Sequence, residues 1–219
     1  MAFETRHHPL ATVLEGVSAD SCPDRLNFHC HTVCSDGSLT PQELIRQASE
    51  IGLEHIAVTD HHSVDAFPQM QAWIADQDAA QNWPTIWTGI EISAVLQGCL
   101  VHVLGLSFRY GDSSLKPYCT GDAAIGEPLR AESVCRAIHA AGGLAVLAHP
   151  ARYRLSCHDL IDAAAAVGFD GGETWYDYDM KPEWRPTAII CDSIERQLNS
   201  LGLLHTCGTD THGLNLRGR

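Results

Sequence analysis

The stretch NFHCHTVCSDG, residues 27–37, places His29 and His31 one residue apart and follows them closely with Asp36. Further groups of the same kind recur along the chain: Asp60, His61 and His62 in AVTDHH, Glu91 in GIEIS, His102 in VHVLG, His149 in AHP, and Asp210 and His212 in GTDTHG. Imidazole and carboxylate together make a mixed nitrogen and oxygen donor set. Such a set suits Mn²⁺, Fe²⁺ or Zn²⁺ better than Mg²⁺ or Ca²⁺, which prefer oxygen alone. A lone strand histidine is more often a hydrogen-bonded core residue. Burying this many ionisable side chains together without cations would need unusual compensation. The reading therefore turns on whether the fold gathers them.

Short apolar runs alternate with helical patterns almost throughout. RLNFHCHT precedes TPQELIRQASEIG, where Thr40 and Glu43 have capping-box spacing and Pro41 suits the first helical position. HIAVTDHH precedes a helix through FPQMQAWIADQ. TIWTGIEISAV and CLVHVLGLSF are separated by LQG and predict a hairpin-like pair. Residues 109–130 read as a loop or small insertion. GLAVLAHP, FDGGETW and LLHTCGTDTHG complete about seven strand candidates, with helices at AESVCRAIHAAG, SCHDLIDAAAAVG and AIICDSIERQLNSLG between them. Alternation of this kind predicts a largely parallel α/β sheet, open or closed into a barrel. The acidic and imidazole residues fall mostly at strand ends, which in parallel barrels converge on one mouth. Side chains two apart on a strand face the same way, so His29 points with His31 and Asp210 with His212. His139 and His158 read as ordinary helix-borne residues, and His7 and His8 as solvated.

A chain of 219 residues, 45% hydrophobic and 19% charged, fits one globular domain. Residues 25–219 are expected to form it, with 1–24 an N-terminal extension. That N-terminus is a poor secretory signal and no apolar run reaches the ~18–20 residues of a membrane span, so the cytoplasm and no membrane partner are expected. The net charge of −13 argues against stable duplex nucleic-acid binding. The nine cysteines contain no C-x-x-C pair and read as reduced, mostly buried hydrophobes, Cys30 alternating away from its histidine neighbours. GDAAIG lacks the setting of a dinucleotide fingerprint, so no cofactor beyond metal is expected. The sequence specifies no oligomeric state.

HCHTVCSDG, AVTDHH, GIEIS, VHVLG, AHP and GTDTHG together resemble the successive signatures of the PHP (polymerase and histidinol phosphatase) family. H-x-H alone also occurs in unrelated amidohydrolases; the ordered series, over residues 27–213, is what carries the likeness. The resemblance implies a distorted (β/α)7 barrel with two or three divalent metals at the C-terminal ends of the strands, hydrolysing phosphoesters. It implies a first metal on His29, His31, Glu91 and Asp210, and a second on His102 and His149 with Glu91 bridging. A third would lie on Asp36, His61 and His212. Glu91, His102, His149 and Asp210 are the expected catalytic centre, and Asp60 would orient a ligand or support its loop.

Two metals can supply a bridging hydroxide as nucleophile and Lewis-acid contacts to the phosphate, so no protein nucleophile is needed. Arg152 and Arg154 in HPARYR, directly after His149, suit bidentate phosphate binding. Lys181 and Arg185 form a second candidate pair, Tyr176 and Tyr178 could stack on a base, and His62 could lie near a leaving group. SDGSLTPQELIRQASEIGLEHIAVTDHH and HPARYRLS are most similar to the family branch of nucleoside 3′,5′-bisphosphate phosphatases and short-RNA 5′–3′ exonucleases. The short segment between His102 and His149 departs from that branch, which often carries a larger inserted helical subdomain. The expected substrate is a small phosphorylated molecule, a nucleotide or short oligonucleotide. The alternatives are a small-metabolite phosphatase of the histidinol-phosphate type and a non-catalytic metal-binding domain.

Overall fold

The computed structural model describes residues 8–78, 81–181 and 183–218, so His7 lies outside the described residues. A parallel three-stranded sheet holds β1 (Leu26–Asn27), β2 (His55–Ala57) and β3 (Thr85–Trp87). A five-stranded sheet runs in chain order through β4 (Gly89–Leu96), β5 (Cys99–Leu106), β6 (Leu144–Leu147), β7 (Gly171–Trp175) and β8 (Leu204–Cys207). β5 is antiparallel to both neighbours, whereas β6, β7 and β8 are parallel. The expected hairpin is β4–β5, closed by Gln97 and Gly98. Both have positive φ (49° and 69°), the requirement of a two-residue turn that matches strand twist.

The mixed α/β architecture with parallel strands is present, but among the described residues the strands do not close into the expected distorted (β/α)7 barrel. The run read as one strand, TIWTGIEISAV, divides into β3 and β4. Thr88 leaves the ladder there: its Oγ1 donates to Phe108 O at 2.6 Å and its carbonyl accepts from Ser107 N–H at 2.7 Å. Those contacts send β3 into one sheet and β4 into the other. Gly89 allows the crossing, since a Cβ on it would lie 2.3 Å from Val58 O. The sheets then meet through single bridges, Cys30–Thr211 on one margin and His61–Glu91 on the other, rather than through continuous ladders.

Among the described residues the helices are α1 (Pro9–Leu14), α2 (Pro41–Ile51), α3 (Ala66–Ala75), α4 (Ala131–Ala140), α5 (Cys157–Val167) and α6 (Ala188–Leu201). Thr40 and Glu43 make the reciprocal capping box of α2, which ends on Gly52 at φ 89°. Ser156 caps α5 through the His158 N–H. The loop 109–130 contains two short 3₁₀ turns, Ser113–Tyr118 and Glu127–Leu129. Within the segment read as an extension, Leu10 and Leu14 of α1 are buried with Phe28, Leu104 and Trp184 in one core cluster. His8, expected to be solvated, is partly buried and bonds Gly142 O at 3.0 Å. Among the described residues no helix is long and apolar enough to cross a membrane.

Candidate metal centre

Glu91, near the start of β4, is the hub. Its Oε2 lies 3.1 Å from His29 Nε2, 3.1 Å from His31 Nε2 and 3.5 Å from His61 Nε2. Its Oε1 lies 2.8 Å from His102 Nδ1 and 3.3 Å from His149 Nε2. Five imidazoles thus divide between the two oxygens of one buried carboxylate. Asp210 Oδ1 faces His29 and His31 at 3.4 and 3.3 Å. On the solvent side, Asp36 Oδ1 stands 3.5 Å from His31 Nδ1 and 3.4 Å from His212 Nε2, and its Oδ2 is 3.8 Å from His61 Nε2.

The strands place these groups less directly than a barrel mouth would. His29 and His31 follow β1, His61 follows β2, His149 follows β6, and Asp210 and His212 follow β8. Glu91 and His102 sit inside the antiparallel pair β4–β5. Gly208 lets β8 approach the first corner: a Cβ there would lie 2.2 Å from His29 Cβ. His62, His149 and Asp210 all have positive φ (51°, 28° and 51°), strain that non-glycine residues keep where surroundings impose it. Cys30 turns away from the cluster, its Sγ directed to Ala57 O.

Among the described residues, three donor groups have ligand atoms within 4.8 Å of one another: His29, His31, Glu91 and Asp210; His31, Asp36, His61 and His212; and His61, Glu91 and His102. The first is the set expected for one metal. The second contains the expected Asp36, His61 and His212 and adds His31. In the third, His61 stands beside Glu91 and His102, while the expected His149 falls outside the group although its Nε2 lies 3.3 Å from the same Glu91 oxygen as His102. The residues fit cations on physical grounds. Both ring nitrogens of His31, Glu91 Oε1 and His102 Nδ1 are buried with no hydrogen-bond partner, although nitrogens and carboxylate oxygens lie close together. Buried polar atoms rarely stay unpaired, and convergent donors that do not bond one another suit a shared ion.

The electrostatics agree. Burial would raise Glu91, but His29, His102 and His149 hold its carboxyl well below the usual range. Burial likewise opposes ionisation of Asp210, and His29 and His31 overcome it. Burial works against protonation of His29, yet Glu173, Glu91 and Asp210 lift it well above its ordinary value; His31 is lifted to about 9, against the same opposition, by Asp210 and Glu91. Burial depresses His61 to about 4 and also lowers His149. The negative field that holds protons on His29 and His31 is one that would hold divalent cations.

Supporting groups orient the donors. Asp60 accepts from Thr32 N–H, Thr32 Oγ1 and Ser35 Oγ at 2.7, 2.6 and 2.7 Å, tying down the loop that carries Asp36. Tyr153 Oη accepts the His102 N–H at 2.8 Å. Glu173 escaped the sequence reading. It is wholly buried, with its carboxylate 3.0 Å from His29 Nδ1. The available signal was a charged residue inside the weak strand GGETW.

The expected substrate groups separate. Arg152 Nη1 reaches Asp210 Oδ2 at 3.0 Å and Tyr176 Oη at 2.9 Å, and Tyr176 Oη donates to the same Asp210 oxygen at 2.6 Å. Arg152 therefore braces a candidate ligand. Arg154 instead bonds Gly98 O in the hairpin turn. Lys181 pairs with Asp179, and Arg185 is exposed. Tyr176 is buried, and the half-buried Tyr178 packs its ring against it at 4.9 Å while its hydroxyl accepts from Ala151 N–H. His62 contacts Ser93 Oγ at 3.2 Å beside the cluster. The helix-borne His139 pairs with Asp170 at 2.8 Å, and His158 bonds Gln197.

A mixed α/β scaffold that gathers imidazoles and carboxylates around one buried glutamate defines a candidate metal-centre protein. The PHP domain family matches residues 27–171, well over half of the chain, and the chain belongs to that family. It is 28% identical over 179 residues to a 5′-3′ exoribonuclease of Haemophilus influenzae, covering 75% of this chain and 63% of that protein. It is 32% identical over 92 residues to the 5′-3′ exoribonuclease Rnm of Salmonella typhimurium, covering 42% of this chain and 30% of that one. In both cases the chain spans less than two thirds of the relative's length. A crystal structure from Bifidobacterium adolescentis, assigned to the metal-dependent phosphoesterases, shares the fold with a TM-score of 0.68 and 21% identity, over 90% of each chain.

Proposed function

We propose that the chain is a metal-dependent hydrolase of phosphate esters, acting on nucleoside 3′,5′-bisphosphates or short oligonucleotides. The five imidazoles within 3.5 Å of the Glu91 carboxylate carry the reading. His29, His31 and Asp210 would hold one ion with Glu91 Oε2, and His102 and His149 a second with Glu91 Oε1. Asp36, His61 and His212 would hold a third at the solvent-facing side. Mn²⁺, Fe²⁺ and Zn²⁺ match these donors. Bound there, the ions would activate water and neutralise charge on the phosphoryl oxygens.

The chain's own groups do the rest. Glu91 turns one oxygen to His29 and His31 and the other to His102 and His149, so a single side chain would serve both ions. Arg152 and Tyr176 hold Asp210 Oδ2, leaving Oδ1 turned to His29 and His31. The two exoribonuclease relatives support the nucleotide assignment.

The test is phosphate release from adenosine 3′,5′-bisphosphate by Mn²⁺-reconstituted protein, with His102→Ala as control. Release by wild type alone supports the proposal. Equal turnover of simple phosphomonoesters lacking a base and second phosphate would favour a small-metabolite phosphatase. No release from any phosphoester would overturn the activity.

A further inference from the structure

β7 supplies none of the proposed ligands, yet its Glu173 is wholly buried within the site. Its carboxylate oxygens stand 3.0 and 3.1 Å from His29 Nδ1, and Oε2 also accepts the His149 backbone N–H at 2.8 Å. One side chain therefore grips the ring of one proposed ligand and the backbone of another. His149 is held at φ 28° and ψ 61°, a conformation that needs such an external clamp. On its far side, the His29 ring turns Nε2 to Glu91 and Asp210.

We propose that Glu173 is a positioning residue for the metal centre. It keeps a hydrogen on His29 Nδ1, so that Nε2 is the lone-pair donor, and it locks the backbone that aims His149 at Glu91. This rests on the metal-centre reading above. A carboxylate only accepts hydrogen bonds, so both partners must donate to it. A carboxylate behind a metal-binding histidine fixes its tautomer and ring orientation in this way. A buried charge is costly, and an apolar side chain would avoid that cost if packing were its only task.

Glutamine separates this role from plain packing. It has nearly the same shape but one acceptor oxygen and one amide NH₂. Turned to satisfy the His149 N–H, its oxygen also lies 3.1 Å from His29 Nδ1, but its NH₂ takes the nearer 3.0 Å position there and sets a donor against the ring hydrogen. Turned the other way, it sets donor against donor at His149. Either orientation puts an amide NH₂ where the carboxylate offers only acceptors, weakening the hold on at least one partner.

The experiment is calorimetric titration of Mn²⁺ into metal-free wild type and Glu173→Gln, with circular dichroism to establish the fold. Nitrogen-15 NMR of the histidine rings in Zn²⁺-loaded wild type accompanies it. The expected results are a native spectrum, Mn²⁺ affinity lower by about 10–100-fold in the variant, and a hydrogen on His29 Nδ1. Affinity within about threefold of wild type would overturn the role, as would a His29 ring lacking that Nδ1 hydrogen. The NMR result decides the matter should the variant misfold. Wild type taking up no Mn²⁺ would overturn the metal-centre reading, and this role with it.

Discussion

Replacing Gly208 with alanine tests how the backbone sets the position of His29. The added Cβ would lie 2.2 Å from His29 Cβ, 2.6 Å from its N and 2.8 Å from its Cα. Carbon pairs settle at about 3.5–4.0 Å, so one backbone must move by roughly 1.3–1.8 Å. Neither is a flexible tip. Asn27 Nδ2 donates to Thr209 Oγ1 at 2.9 Å, and Asp210 N–H donates to His29 O at 2.8 Å. Any shift therefore moves the first and last corners of the cluster together. Overpacking of this kind costs about 1–3 kcal/mol. Misplacing catalytic groups by about 1 Å can cost on the order of 10²-fold in rate. Urea unfolding of metal-free Gly208→Ala and Mn²⁺-dependent phosphate release should show both losses. Wild-type stability together with wild-type turnover would refute the reasoning.

Three further outcomes follow from the same contacts. The Asp170 hydrogen bond raises His139 from 6.5 to about 10, so this pair's stabilisation is complete below about pH 6.5 and fades as pH rises through 10. The side chain is about one-third exposed and screened by solvent, so the stability gap between wild type and His139→Gln should be about 1 kcal/mol at pH 6. Urea melts at stepped pH should find that gap closing above pH 10; a gap that widens with pH contradicts the assignment. Leu14→Ala should cost about 2–5 kcal/mol in chemical denaturation, because Leu14 is buried in the core, whereas a dispensable appendage would cost under about 1. Arg152→Ala should lower kcat/KM by about 10–100-fold at saturating Mn²⁺ by freeing Asp210, with Tyr176→Phe less affected; unchanged kcat/KM in both would remove that brace from the account.

What the sequence made legible was the material governed by local rules. Capping at Thr40, the β4–β5 hairpin and the alternation of helices with strands rest on neighbours in the chain, and each appears in the structure. His29 and His31 could be paired because a two-residue spacing fixes their common direction. Asp36 stands out by its closeness to His29 and His31, but it lies in a loop where no period applies, and the family resemblance alone gave it a ligand's role. The division of one apolar run into β3 and β4 depends on Thr88 meeting Ser107 and Phe108, a contact between distant segments that no local pattern encodes. Glu173 was hidden for a related reason. Its meaning comes from His29 and His149, brought to it by β1 and β6, while its own strand reads as weak. Arg152 was found, but its attachment to Asp210 depends on a segment 58 residues away.

Metal content after reconstitution tests the central claim most directly. Wild-type protein and Glu91→Gln would be incubated with Mn²⁺, desalted and assayed by elemental mass spectrometry. The account predicts at least two ions per wild-type chain and a loss of at least one in the variant, because Glu91 joins both halves of the cluster. Fewer than one ion per wild-type chain, or equal content in the two proteins, would contradict it.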